Sequence, residues 1–272
     1  NNVENSRYAL TQGFTNYNAI NAFANYDFSI GKHDISIMGG YNQEESHKES
    51  QWSQRTDVLL ENLPSLSGST GTASVTDSFD EYAIRGLFYR VNYTYDGKYM
   101  FEANGRYDGT SRFPKDSRFG FFPSFSAGWR ISEEAFMKNT KSFLSNLKLR
   151  ASWGSIGNDS QLNASQFVSG WQFEDRFILG GAGNSSASIT NGMKEANLAN
   201  PNITWYKVMT TNVGLDGSFW GGKLSFEFDY FYRKTTGYPA TRNTSLPTTS
   251  GIPLPQENLN SSDNRGFELS LG

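Results

Sequence analysis

The chain contains no cysteine and only two histidines, His33 and His47. Disulfides and thiolate chemistry are therefore excluded, and two separated imidazoles do not suggest a metal site or a cofactor. No apolar run approaches the roughly 20 residues that a transmembrane helix requires. The opening stretch NNVENSRYAL has neither the basic start nor the apolar core of a signal peptide, so the chain reads as a mature start or a piece of something longer. Net charge is −3, which creates no general attraction for nucleic acid or an anionic surface. Aliphatics are sparse as well: hydrophobic residues total 36%, yet aromatics alone reach 15%, with 21 Phe and 14 Tyr. Aromatic, Gly-rich and Asn-rich chains of this kind form β structure with one wet side.

The aromatics are spaced for that purpose. Side chains alternate across a strand, so residues two apart share a face. In KYMFEANGRYDG, Tyr99, Phe101, Ala103, Gly105 and Tyr107 share one side, and Glu102, Asn104, Arg106 and Asp108 the other. In FPSFSAGWRI, Pro123, Phe125, Ala127, Trp129 and Ile131 align opposite Ser124, Ser126, Gly128 and Arg130. The same alternation marks strands near 17–29, 35–42, 82–95, 146–155, 205–219 and 224–233, and a ninth that begins at Phe267. Asp96-Gly97 is a hairpin signal. Ser132, followed by Glu133 and Glu134, predicts a capped short helix near 132–144, stapled by Ile131 and Phe136.

The connections alternate short and long: 31–34, 43–81, 96–98, 110–118, 132–145, 157–203, 220–222 and 235–263. Membrane barrels of the bacterial outer membrane show this alternation, with short periplasmic turns and longer external loops. The strands are also long for a soluble sheet, where five or six residues is usual. Aromatics gather at both strand ends, as interfacial girdles do: Tyr93, Tyr95, Tyr99, Phe101, Trp129 and Trp220 at one, Tyr41, Tyr107, Phe119, Phe121, Trp153, Tyr206 and Tyr232 at the other. The pattern therefore reads as an all-β, antiparallel up-and-down meander of about nine long strands, with one face toward lipid. A large soluble β-sandwich is the bland alternative.

Three linked blocks are more specific. RYDGTSRF (106–113), FGFFPSFSAGWRISEEAFM (119–137) and LKLRASWGSIGN (147–158) resemble, in order and spacing, the SusC/RagA family of TonB-dependent outer-membrane transporters of Bacteroidetes. The resemblance covers essentially the whole chain. It implies one partial barrel domain over 1–272, part of a roughly 22-stranded transmembrane β-barrel, with signal peptide, plug domain and remaining strands absent from this sequence. It further implies residence in a Gram-negative outer membrane, in contact with membrane lipid. The implied activity is uptake of oligosaccharides, glycans or peptides with a SusD-like surface lipoprotein, driven by the TonB complex through parts absent here. No nucleic acid partner, cofactor or enzymatic activity is implied.

Candidate site residues follow from the wet faces. Arg90, Asn92, Glu102, Arg106 and Asp108 form a lumen patch, either to contact solute or plug or as a self-satisfying charge ladder. Glu227 and Asp229, with Arg233 beyond them, are a second polar group; paired carboxylates invite a glycoside hydrolase reading, kept as a third choice. Trp171, in the loop that also holds Asp159, Glu174 and Asp175, is the candidate for ligand or lid contact, because sugars stack on aromatic rings. A soluble β-rich carbohydrate-binding module is the second reading of the whole chain.

Overall fold

A computed structural model describes residues 6–160, 167–179, 188–242 and 254–272. Eleven strands follow in chain order: β1 (Arg7–Ile30), β2 (His33–Thr56), β3 (Ala73–Tyr95), β4 (Tyr99–Thr110), β5 (Phe119–Arg130), β6 (Leu144–Asn158), β7 (Gly170–Leu179), β8 (Ser188–Asn197), β9 (Tyr206–Phe219), β10 (Leu224–Thr241) and β11 (Gln256–Leu271). Nine of them form one sheet in the order β1-β2-β3-β4-β5-β6-β9-β10-β11, while β7 and β8 pair only with each other. Neighbours are therefore consecutive everywhere except at β6 and β9. The sheet does not close on itself, and β1 and β11 are its edges.

Register converts the sequence alternation into two continuous faces. β4 and β5 pair from Tyr99↔Trp129 to Gly109↔Phe119. β6 and β9 pair with Lys148↔Asp216, Arg150↔Gly214 and Ser152↔Asn212, and β9 and β10 with Asp216↔Glu227 and Gly214↔Asp229. One face so assembled carries Glu102, Ser126, Arg150, Asp216 and Asp229. The opposite face carries Phe101, Ala127, Leu149, Val213, Phe228 and Leu269, with no charge among them. Large side chains there stay exposed, Phe101 at 47%, Phe228 at 40% and Phe267 at 74%. Water would penalise each by roughly 1.5–3 kcal/mol relative to burial, so this face belongs against something apolar.

Turn chemistry sets the short connections. Asp96 and Gly97 both have positive φ, 52° and 65°, the requirement of a two-residue turn that matches strand twist. Lys32 and Lys98 each reach the Asp96 carboxylate at 3.0 Å. Aromatic rings line this end: Tyr95 stacks on Tyr99 and Tyr99 on Trp129, and Phe143, Phe219 and Trp220 group together.

Three expectations need correction. The helix near 132–144 is instead two 3-10 turns, Ile131–Glu133 and Ala135–Thr140, with no side-chain cap at either. Glu134 between them is extended, and its carboxylate accepts hydrogen bonds from Tyr99 Oη (2.5 Å) and Trp129 Nε1 (3.0 Å). That tie to the strand ends interrupts the helix, and Phe136 is left exposed rather than stapled. Second, the polar stretches 43–56 and 73–81, read as loop, are strand, and β11 begins well before Phe267. Alternation reveals a strand only while one face is apolar; with both faces wet, the backbone ladder persists without that signature. Third, the 157–203 connection contains the β7–β8 hairpin.

The chain divides into two compact units, Asn1–Ile20 with Gln43–Ile84, and Asn21–Asn42 with Arg85–Gly272. In the first, Arg55 ties down the 57–72 loop by donating to the carbonyls of Gly71 and Leu66. His47 stands between Glu49 (2.7 Å) and Glu81. In the second, the buried apolar cluster is Phe113, Phe122, Ile203 and Trp205, with Phe167 packed against it. Both phenylalanines meet the Trp205 indole edge-on, at 5.2 and 5.3 Å. Trp205 Nε1 donates to the Arg118 carbonyl at 3.0 Å, and Ser117 Oγ to that of Ile203 at 2.9 Å. The only substantial core among the described residues thus joins the 111–118 loop to the approach to β9, at the long-loop end.

Candidate functional site: the polar wall

The polar face is built from short side chains with charges set into it. On β4, Asn104 Nδ2 donates to Glu102 at 2.6 Å, and Ser124 Oγ from β5 donates to Asn104 Oδ1 at 2.9 Å. Arg106 donates twice to Asp108, two residues along the same strand, at 2.9 Å for each bond. The Arg106 guanidinium also lies 5.5 Å from the Phe88 ring centroid. Gly86 lets this pair lie flat, since a Cβ there would collide with the Asp108 carboxylate.

A second ionic group spans three strands. Arg150 on β6 donates from Nε and Nη2 to Asp216 on β9, at 2.6–2.9 Å, and from Nη2 to Asp229 on β10 at 3.0 Å. Gly214 lies directly beneath; any Cβ there would strike the guanidinium carbon at 2.8 Å. Charge-assisted, forked bonds of this kind are among the stronger polar contacts. They make the junction between β6, β9 and β10 rigid. Between the two groups lies a groove of about 420 Å³ lined by Asn92, Glu102, Ser126, Ser152 and Asn212 among others. A groove of about 550 Å³ runs on past Arg106 and Asp108 to Phe122 and Thr210.

The candidates fall into place unevenly. Glu102, Arg106, Asp108 and Asn92 share the grooves. Arg90 lies on the same face by alternation from Asn92 and is exposed. Asp229 belongs to the Arg150 group, and its cation is Arg150 rather than Arg233. Glu227 is opposite Asp216 in register, and Arg233 opposite Thr210 and Asn264; both are exposed. Trp171 is 63% exposed on the β7–β8 hairpin, opposite Glu195. Asp159 is buried against Arg112 at 3.7 Å and does not face open solvent. The side chains of Glu174 and Asp175 lie outside the described residues. Sequence reasoning missed Arg150 and Asp216 as partners. Alternation places each on the wet face, but their contact depends on β6 adjoining β9, which the intervening hairpin conceals.

The model of the TonB-dependent receptor-like β-barrel matches residues 1–272 in full. The chain belongs to this TonB-dependent receptor β-barrel family. TonB-dependent receptor P26 of Formosa agariphila is 31% identical over 97% of this chain and 26% of its own length. TonB-dependent receptor SusC of Bacteroides thetaiotaomicron is 29% identical over 98% of this chain and 26% of its own. The chain therefore spans about a quarter of the length of the curated relatives it matches. Among solved structures, the RagAB peptide importer in its "open-open" state shares the fold, with a TM-score of 0.84 at 23% identity over 97% of this chain and 28% of that one.

TonB-dependent receptor barrels reside in the outer membrane of Gram-negative bacteria. In such barrels the outward face is apolar and the inner face polar; the Arg106 and Arg150 groups lie on the polar face of this sheet. Short turns such as Asp96-Gly97 are periplasmic and the Phe113–Trp205 core is external. On the periplasmic side, Lys32 and Lys98 hold the Asp96 carboxyl below its ordinary range. Hydrogen bonds from Tyr99 and Trp129 do the same for Glu134.

Proposed function

We propose that this chain is part of the wall of an outer-membrane nutrient transporter that imports glycans, oligosaccharides or peptides. In this reading it works with a SusD-like surface lipoprotein, and the TonB complex energises it through segments outside these residues. The observation that carries the reading is the two-faced wall itself: an uncharged outer band backed by a polar inner face whose charges are fixed in register. Kinship with SusC and with the RagAB peptide importer supports the cargo classes. The single domain proposed here is a partial barrel over 1–272.

On the inner face, Arg90, Glu102, Glu227 and Arg233 are the charged candidates that make no ion pair among the described residues; Glu102 is held by the Asn104 amide, and the other three are the ones available to cargo or plug. Arg106–Asp108 and Arg150–Asp216–Asp229 are wall, with Asn92 and Glu102 lining the groove between them. Because Arg150 already engages Asp229, the Glu227–Asp229 pair acts as lining and not as a hydrolytic pair. Trp171 reaches outward for ligand or lid. Deleting the parent gene and measuring growth on defined oligosaccharides and on peptide mixtures tests the proposal. Unchanged growth on both classes would defeat it. In the complemented strain, Arg90→Ala with Arg233→Ala is expected to slow uptake of the affected class severalfold while the barrel still reaches the membrane.

A further inference from the structure

Three cations stand on the lipid face at its external border. β9, followed outward from Val213, presents Thr211, Met209 and then Lys207; β10 presents Tyr230, Tyr232 and then Lys234; β11 presents Leu269, Phe267 and then Arg265. Lys234 is opposite Met209, while Lys207 is opposite Thr236. On the other flank, Lys234 is opposite Asp263, while Arg265 is opposite Tyr232. Lys234 is thus the diagonal neighbour of both other cations, and diagonal neighbours lie about 7–8 Å apart. All three are exposed. The nearest carboxylate is Asp263, which hydrogen-bonds Tyr232, and farther out Glu257 is taken by Arg242.

Several cations elsewhere at the borders are satisfied within the protein. At the periplasmic turns Lys32 and Lys98 hold Asp96, and Lys141 holds Glu133 at 2.9 Å. At the external border Arg85 rests over the Phe119 ring at 5.4 Å. Lys207, Lys234 and Arg265 make no ion pair among the described residues. They begin where the aromatic and aliphatic band ends, the depth of lipid headgroups, and their alkyl stems can follow the band while the charges reach upward.

We propose that Lys207, Lys234 and Arg265 form a docking row for a phosphorylated lipid headgroup of the outer leaflet. The row is diagonal, so its charges are offset along and across the strands and can address two phosphate oxygens or two neighbouring headgroups at once. This inference rests on the outer-membrane placement and not on any cargo.

The test uses the full-length parent protein purified in detergent, with native mass spectrometry counting bound purified lipid A. Wild-type protein should retain phosphorylated lipid A and lose it when the lipid is dephosphorylated. The triple variant Lys207→Gln, Lys234→Gln, Arg265→Gln should bind on the order of a hundredfold more weakly, since each basic residue near an anionic surface contributes about fivefold. The charge-conserving triple Lys207→Arg, Lys234→Arg, Arg265→Lys should bind nearly as wild type, and heat-modifiability on a gel shows that each barrel is intact. Equal retention of dephosphorylated lipid, undiminished binding by the Gln triple, or loss in the charge-conserving triple would each overturn the proposal. Full displacement by millimolar inorganic phosphate would also overturn it, because the site would then read free anion and not lipid. Nutrient uptake is not among the readouts, so failure here and failure of the transport reading are separable.

Discussion

The ring of Phe122 occupies the space that a side chain on Gly157 would need. Gly120 makes room for the same ring, and Trp205 closes over it. The segment FGFFPSF is thus more than lipid-facing aromatics. Its third phenylalanine turns to the other face and joins Phe113 to close the external end of the wall.

Truncating that ring should be costly. Phe122→Ala empties a nearly sealed site and is expected to destabilise the external core by about 3–5 kcal/mol. Gly157→Val should do comparable harm by displacing the ring. Limited proteolysis in the 111–118 loop, followed in membranes, would register both; a loop as resistant as wild type would contradict the packing.

The orientation of the faces is directly testable. Leu149→Lys places a charge on the lipid face, where the midplane penalty is roughly 2–4 kcal/mol. Ser126→Lys, on the neighbouring strand but facing the groove, should cost little. Folding yield into lipid bilayers should fall for the first variant only, and the reverse order would invert the assignment.

Arg150→Met leaves Asp216 and Asp229 adjacent without their cation. Loss of the shared charged bonds, at a site only partly screened by water, should destabilise the sheet by about 2 kcal/mol. Adding Asp216→Asn and Asp229→Asn to that variant should recover part of the loss. Urea unfolding in detergent measures both steps.

The periplasmic turn should respond to acid. Lys32 and Lys98 depress the folded-state pKa of Asp96 below its ordinary 3.8. The stabilisation is therefore complete above that ordinary value and disappears as pH falls through the lower folded value. Asp96→Asn should flatten the acid limb of an unfolding profile below about pH 4, and added salt should mimic the change in part.

His47 has the opposite sign. Hydrogen bonds to Glu49 and Glu81 raise its pKa above the ordinary 6.5. Its contribution is full below that value and is lost as pH rises through the folded one. Hydrogen exchange of β2 amides near His47 should therefore quicken, beyond its intrinsic base dependence, as pH climbs above neutrality in wild type. In His47→Gln that extra acceleration should be absent; if it persists, the imidazole is not its source.

Much of this architecture is written locally. Tyr99 through Tyr107 and Leu224 through Tyr232 alternate because each strand must show lipid one face and water the other. Asp96-Gly97 announces its turn because few other pairs tolerate two positive φ angles in succession. Those features need only neighbours in sequence, so the meander, the uncharged face and the short turns are all legible from the residues alone. What required the tertiary structure is everything set by adjacency across the sheet. Arg150 finds Asp216 only because β6 adjoins β9, and Phe122 falls by alternation on the wet face, where only Trp205, arriving from a distant connection, covers it. Lys207, Lys234 and Arg265 become a row only when the register places them on diagonals. Alternation dictates which face a side chain occupies; the pairing of strands decides which side chain it meets there.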